Sequence, residues 1–336
     1  MSTYKELVGK FVTSYSSDPS AAYAEGQIWY NTTSNTFKTA LNVFAWSSGG
    51  ALPTANYTGA GFGVSTAAVY AGGGSSKTTT FEYDGSSWTA GGALNTGRYY
   101  VGHAGTQTAG LAVGGENPSG SLDVTELYDG TSWTEVNDLN TGREGLGGAG
   151  TSTSALGFGG DVPTSVNVTI TESWNGTNWT EVADLNLARR GIGAAGASNT
   201  SALGFGGDIT PGSPRPKNET ELWDGSSWTE VNNLNTARIV VKGTGIATAA
   251  LCIGGYDFNP NITGKVEQWN GTNWTEVNDL NTARYNIGCS GTTTAALAFG
   301  GAPPASLAVT EEWNGASWVE VADLATVRSN LNGTGT

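Results

Sequence analysis

A tryptophan followed ten positions later by an arginine recurs down this chain: Trp88 and Arg98, Trp133 and Arg143, Trp179 and Arg189, Trp228 and Arg238, Trp274 and Arg284, Trp318 and Arg328. A seventh copy, Trp46, keeps the spacing but has Asn56 in place of the arginine. Successive tryptophans are 42, 45, 46, 49, 46 and 44 residues apart. A unit repeating every ~40–50 residues is one blade of a β-propeller, because a single small sheet cannot bury both faces until its neighbours stack on it. A chain of 336 residues could hold two ordinary domains. Here the repeat consumes nearly all of it.

The unit from Arg143 to Arg189 divides into four short strands. A Gly-rich strand follows Arg143. Ser154–Phe158 is the second and ends in Gly159-Gly160. Val168–Trp174 is the third, and the turn Asn175-Gly176-Thr177-Asn178 leads to the fourth, Trp179–Val182. Asp-Gly or Asn-Gly recurs at that turn in the other units (Asp84, Asp129, Asp224, Asn270, Asn314), and such pairs accept the positive φ of a tight hairpin. A glycine also recurs seven residues after each arginine or its equivalent, from Gly63 to Gly335. The first strand should be innermost, where blades converge and glycine permits close backbone approach.

Seven tryptophans against six Gly-Gly pairs predict a ring closed by both chain ends. The tail 329–336 reads as a lone first strand. Residues 26–56 supply strands around 27–31, 36–41 and 43–46. The expected organisation is all-β and seven-bladed, with an arm over 1–25 and a propeller over 26–336. Blades fall near 57–98, 99–143, 144–189, 190–238, 239–284 and 285–328, and the closing blade is shared by 26–56 and 329–336.

The Gly-Gly after an apolar strand, the aromatic before the turn (Tyr128, Trp174, Trp223, Trp269, Trp313), the tryptophan after it and the closing arginine together resemble the kelch repeat. That resemblance covers roughly residues 41–336. It implies the architecture and leaves activity open, since kelch propellers serve as enzymes, adaptors and structural proteins.

The charge balance is acidic, 29 Asp and Glu against 15 Lys and Arg, for a net charge of −14. Nucleic acid and anionic lipid both need a basic surface, so neither is expected as a partner. No apolar run is long enough to span a membrane, and the first residues lack the apolar core of a secretory signal. Cys252 and Cys289 read as buried strand residues rather than a disulfide.

Catalysis needs a constellation of reactive side chains. His103 is the only histidine and sits in a Gly-rich first strand, which reads as packing. No His/Cys cluster suits zinc, no serine triad is recognisable and no phosphate loop is present, so no catalytic residue, metal or cofactor is expected. The Asp129-Gly130-Thr131-Ser132-Trp133 tract resembles the Asp box of sialidase propellers, but it is one residue too short between Asp and Gly and reads as a turn. The six repeated arginines should pair with a repeated acid (Glu126, Glu172, Glu221, Glu267, Glu311) or with a carbonyl of the next blade. The repeated tryptophans should pack between blades. Variation concentrates after the Gly-Gly pairs, in 116–120, 208–218 and 256–261, which should share a face with the loops joining consecutive blades. Variable loops on a rigid scaffold are where binding resides. The candidate binding residues there are Asn117, Pro163, Arg215, Lys217, Tyr256 and Phe258.

Residues 17–38, which include Gln27-Ile28-Trp29-Tyr30-Asn31, resemble the start of repeat-rich virion proteins of tailed phages, especially marine ones. The near-identical Trp-Thr-Glu-Val tracts resemble the duplicated modules of such fibre proteins. The resemblance implies a non-enzymatic virion component made in the host cytoplasm: a tail fibre, receptor-binding or capsid-decorating protein. Its partners would be other virion proteins or a host surface glycan, and it would be oligomeric in the assembly. The alternatives are a glycan-active enzyme or a bacterial kelch-type lectin or scaffold.

Overall fold

The computed structural model describes residues 13–15, 28–33, 35–39, 52–54, 56–64, 66–164, 166–209, 215–257, 262–302 and 305–331. The chain divides into two compact units, 1–45 and 46–336.

In the second unit, six four-stranded antiparallel sheets follow one another, each made of consecutive strands. The first blade is Ala60–Val64, Ala67–Ala71, Thr80–Tyr83 and Trp88–Ala90; the second is Gly102–Thr106, Ala109–Val113, Thr125–Tyr128 and Trp133–Glu135. The third is Gly147–Thr151, Ser154–Phe158, Thr171–Trp174 and Trp179–Glu181; the fourth is Gly193–Ser198, Ser201–Phe205, Thr220–Trp223 and Trp228–Val231. The fifth is Lys242–Ile246, Ala249–Ile253, Val266–Trp269 and Trp274–Glu276; the sixth is Gly288–Gly291, Ala296–Phe299, Thr310–Trp313 and Trp318–Glu320. First strands of consecutive blades pack side by side, so they line the axis. Fourth strands lie outermost, where the glutamate two residues after the tryptophan is exposed (Glu135, Glu181, Glu276 and Glu320 among them). Charge on an edge strand discourages pairing with another chain.

The fold is therefore a β-propeller with six blades, and the expectation of seven is corrected. The hairpin proposed for the seventh blade exists, as Ile28–Asn31 paired antiparallel with Thr36–Thr39. It belongs to a separate three-stranded sheet. The free edge of Ile28–Asn31 is taken by a parallel strand, Thr13–Tyr15, within the segment read as an arm. That edge is not available to the C-terminal tail. Ser329–Leu331 form no strand, while Trp46 and residues 332–336 lie outside the described residues.

Three contacts repeat between blades. The first is a buried latch. The arginine closing one blade pairs with the glutamate on the third strand of the next: Arg98–Glu126, Arg143–Glu172 (2.9 Å), Arg189–Glu221 (3.0 Å), Arg238–Glu267 (2.9 Å) and Arg284–Glu311. All five arginines are fully buried. Each glutamate also accepts the backbone and side-chain N–H of an asparagine three residues before the arginine, as Glu221 does from Asn186 at 2.7 and 2.8 Å. The latch explains Asn56: the first blade carries Phe81 where the others have glutamate, so an arginine at 56 would have no acid to meet. Arg328, which ends the last blade, is only partly buried and bonds Thr326 through Nε at 2.9 Å.

The second contact is the tryptophan. Its indole N–H donates to a threonine on the preceding blade: Trp133 to Thr80, Trp179 to Thr125, Trp228 to Thr171 and Trp274 to Thr220, each at 2.9 Å. Trp318 is just as buried, but its Nε1 has no acceptor, because the fifth blade has Val266 at the threonine position. Trp88 is partly buried. The third is an aromatic contact from the second strand of one blade to that tryptophan in the next, as between Phe158 and Trp228 at 4.8 Å and between Phe205 and Trp274 at 4.9 Å.

The glycine seven residues after the arginine has a different cause from the one the sequence suggests. It ends the first strand at φ near +110° (Gly105 +112°, Gly150 +117°), and a Cβ there would fall 2.1 Å from the carbonyl of Ala109 or Ser154 on the second strand. The constraint is the hairpin within one blade, not crowding at the axis.

Candidate functional site

Each blade enters its first strand through the same device. The residue after the arginine is extended and exchanges backbone hydrogen bonds with the residue after the Gly-Gly pair. Tyr99 bridges Glu116, Glu144 bridges Asp161, Arg190 bridges Asp208, Ile239 bridges Tyr256 and Tyr285 bridges Ala302. The next residue is left-handed in every case: Thr58 (φ +56°), Tyr100 (+53°), Gly145 (+60°), Gly191 (+57°), Val240 (+54°), Asn286 (+53°) and Asn330 (+55°). These residues link one blade to the next, with Tyr100 N donating to Thr58 O (2.9 Å), Gly191 N to Gly145 O (3.0 Å) and Asn330 N to Asn286 O (2.9 Å). A left-handed Val, Thr or Tyr is strained backbone held by its surroundings, and such strain gathers at functional surfaces.

The device places the residues that differ most between blades around one mouth of the axis. Tyr57 and Tyr100 are 54% and 51% exposed there, the two most exposed aromatic side chains among the described residues. Tyr100 packs edge-on against Tyr99 at 5.3 Å, and the Glu116 carboxylate lies near both the Tyr99 hydroxyl and the Glu144 carboxyl. Arg190 Nη1 donates to Asp161 Oδ2 at 2.9 Å, and its Nε lies 4.0 Å from Asp208 Oδ2. Tyr256 and Tyr285 stack edge-on at 5.5 Å. Burial, then the hydrogen bond to Glu116, then the negative charges of Asp161 and Glu116 push the Glu144 carboxyl up to about 8, so it holds its proton at neutral pH. Burial also raises Asp161, although Arg190 opposes the shift. Among the described residues no three His, Cys, Asp or Glu side chains are arranged to hold a metal ion.

The sequence-selected binding residues scatter around this mouth. Asn117 is in a small hairpin, Glu116–Asn117 with Gly120–Ser121, where its Oδ1 accepts from Ser119 N at 2.8 Å. Pro163 turns the matching hairpin of the next blade, Asp161–Val162 with Val166–Asn167, and lies beside Gly120. Arg215 is exposed, with its backbone N–H on Asp208 Oδ1 at 2.8 Å. Lys217 is partly buried, and its ammonium is paired with Glu219 at 3.2 Å. Tyr256 belongs to the mouth itself. Phe258 and residues 210–214 lie outside the described residues. The residues missed are Tyr57, Tyr99, Tyr100, Glu144, Asp161 and Arg190. Their signal was present: the position after each arginine reads Tyr, Glu, Arg, Ile, Tyr down the chain, the one variable letter beside a repeated one.

His103 is on an axial strand, away from the mouth loops, with Nδ1 3.2 Å from Val101 O. Burial holds it neutral, down to about 4. Cys252 and Cys289 are buried free thiols.

This geometry defines a β-propeller that presents aromatic and carboxylate side chains at one end of its axis. No protein-family model matches the chain, and no curated protein matches it. Among solved structures it resembles one described as the structure of YjhT, with a TM-score of 0.65 at 12% sequence identity, over 80% of this chain and 98% of that one. At that identity the likeness concerns the fold alone.

Proposed function

We propose that this chain is a non-enzymatic, kelch-like binding component of a tailed-phage virion, a tail-fibre, receptor-binding or capsid-decorating protein. It meets a host surface glycan or a neighbouring virion subunit through the axial mouth. The virion part rests on the resemblance of residues 17–38 and of the repeat style. The binding part is carried by one observation: Tyr57 and Tyr100 stand exposed near each other, with the carboxyl groups of Glu116 and Glu144 near Tyr100. Flat amphipathic rings cover the apolar face of a sugar, and carboxylates accept its hydroxyl protons. The test is binding of the purified protein to a glycan array, alone and as Tyr57→Ala/Tyr100→Ala. Retention of glycans by the double variant at full strength refutes the assignment of the face. Absence of the protein from purified particles refutes the virion role, and deletion of residues 1–20 should abolish its incorporation.

A second reading, a glycan-active enzyme on the same fold, is favoured by Glu144. A carboxyl kept protonated near neutral pH beside ionised carboxylates is the arrangement of a general acid. Release of reducing ends from oligosaccharides by the wild type, lost in Glu144→Gln, would establish it.

A further inference from the structure

We propose that the axial mouth beside the third blade holds a site for a primary ammonium group, formed by Asp161, Glu144 and Glu116 with Tyr100 at the rim. The inference rests on the axial mouth being the binding surface and goes further by naming the chemistry it selects.

Asp161 is 2% exposed. Arg190 occupies its Oδ2, but its Oδ1 is buried without a hydrogen-bond partner. That oxygen points toward Gly145: a Cβ built there would lie 3.6 Å from it. Glu144 presents a second buried, unpartnered oxygen, Oε2, with the Glu116 carboxylate nearby. Buried acceptors without donors are rare in folded proteins and call for a partner.

The backbone marks an opening at the same place. Of the seven left-handed mouth residues, only those of the third and fourth blades, Gly145 and Gly191, are glycine. The conformation does not demand it, since Thr58, Tyr100, Val240, Asn286 and Asn330 adopt the same φ. The missing side chains leave room instead: a Cβ on Gly191 would meet nothing within 4 Å, and one on Gly145 would sit over Asp161.

The vacant acceptors and the local charge select a cation with N–H donors. Glu116, Asp161 and Asp208 outweigh Arg190, and Glu144 adds a further negative charge once its proton leaves. An ammonium brings one positive charge and three N–H donors in a compact fan, where a hydroxyl brings a single proton. The face of Tyr100 adds a favourable surface for the same charge. An amino sugar and a lysine side chain both carry this group.

The experiment is calorimetric titration of the full-length protein at pH 7 with N-acetyl-lysinamide and with glucosamine, against the neutral N-acetyl-norleucinamide and glucose. Two buffers of different ionisation enthalpy report proton exchange. The ammonium ligands should bind at least ~10-fold more tightly than their neutral counterparts. They should also release protons, because a cation beside Glu144 draws its proton off among Glu116, Asp161, Asp208, Arg190, Tyr99 and Tyr100. Glu144→Gln should lose the proton release. Gly145→Asn, which places at the third blade the residue the sixth already carries, should abolish binding in a folded protein. The stronger of the two ammonium ligands identifies the source. Equal binding of neutral and cationic ligands, binding without proton release, or an indifferent Gly145→Asn overturns the proposal. Glycan-array binding that depends on Tyr57 and Tyr100 is read separately, so loss of the ammonium site alone leaves the binding-face assignment intact.

Discussion

Replacing Glu221 by glutamine should cost the propeller about 3 kcal/mol, near the lower end of the range for breaking a buried ion pair by removing one partner. Glu221 is 1% exposed and Arg189 fully buried, so water does not replace what is lost. Arg189 keeps its bonds to the carbonyls of Gly206 and Glu219, both at 2.7 Å, which is why the higher end is not reached. A glutamine can turn its oxygen to Asn186 or to Arg189 but not to both. One of the two buried donors is then left facing an NH2 group. Urea unfolding followed by tryptophan fluorescence reads the change, since Trp228 sits in the same interface. Arg189→Met in the Glu221→Gln background should show a coupling of at least ~1.5 kcal/mol, because each single change strands the other group. The internal control is Arg328→Met at the same repeat position. That arginine has no carboxylate partner among the described residues, and the change should stay within ~0.5 kcal/mol. A cost below ~1 kcal/mol for Glu221→Gln, or equal costs at 189 and 328, would refute the latch as the cement between blades.

The other expectations are narrower. Val266→Thr should stabilise by about 1 kcal/mol in thermal melts, because it supplies the hydroxyl that Trp318 Nε1 lacks and four other tryptophans have; destabilisation would show that the indole has another partner. Gly150→Ala should destabilise by about 1–3 kcal/mol, since a Cβ would meet the Ser154 carbonyl at 2.1 Å with φ at +117°. His103, depressed to about 4 from 6.5, leaves the unfolded chain binding the extra proton between those values, so its contribution to stability falls as pH drops from 6.5 toward 4. Between pH 7 and pH 4.5 the wild type should lose about 2 kcal/mol more than His103→Gln; equal losses would mean that the imidazole is protonated in the folded state.

What could be read from the sequence was whatever repeats. The blade boundaries followed from Trp and Arg because a residue that packs between blades must reappear at every interface. The pairing of Arg with a repeated acid was one of two readings, and the structure makes it both: Arg143 reaches Glu172 and also the carbonyls of Gly159 and Ile170. The blade count failed because a spacing counts tryptophans, not sheets. Trp46 keeps the period, yet the strand edge at Ile28–Asn31 that closure requires pairs with Thr13–Tyr15, a parallel contact no periodicity reveals. The site was half visible. The segments after Gly-Gly pointed to Asn117 and Tyr256, which the structure places in the hairpin after Gly115 and against Tyr285. They missed Glu144 and Arg190, which sit next to the most regular residue in the repeat and look like part of it.

That adjacency is also the physical link between stability and function in this chain. The arginine fixes the chain as it crosses from one blade to the next, with its side chain locked to the following blade and its own carbonyl accepting from the Gly-Gly turn, as Arg189 O does from Gly160 N at 3.0 Å. The residue after it is thereby held in place by contacts that do not involve its side chain. Such a position carries Tyr, Glu, Arg or Ile in different blades, because the backbone bridge to the residue after Gly-Gly is the part that repeats. The left-handed residue that follows is equally indifferent, accepting Val240 at one blade and Gly145 at another. A scaffold with five latched interfaces thus leaves two positions per blade whose residue type varies at one mouth of its axis. Selection for a ligand can act there without cost to the latch that holds the blades together.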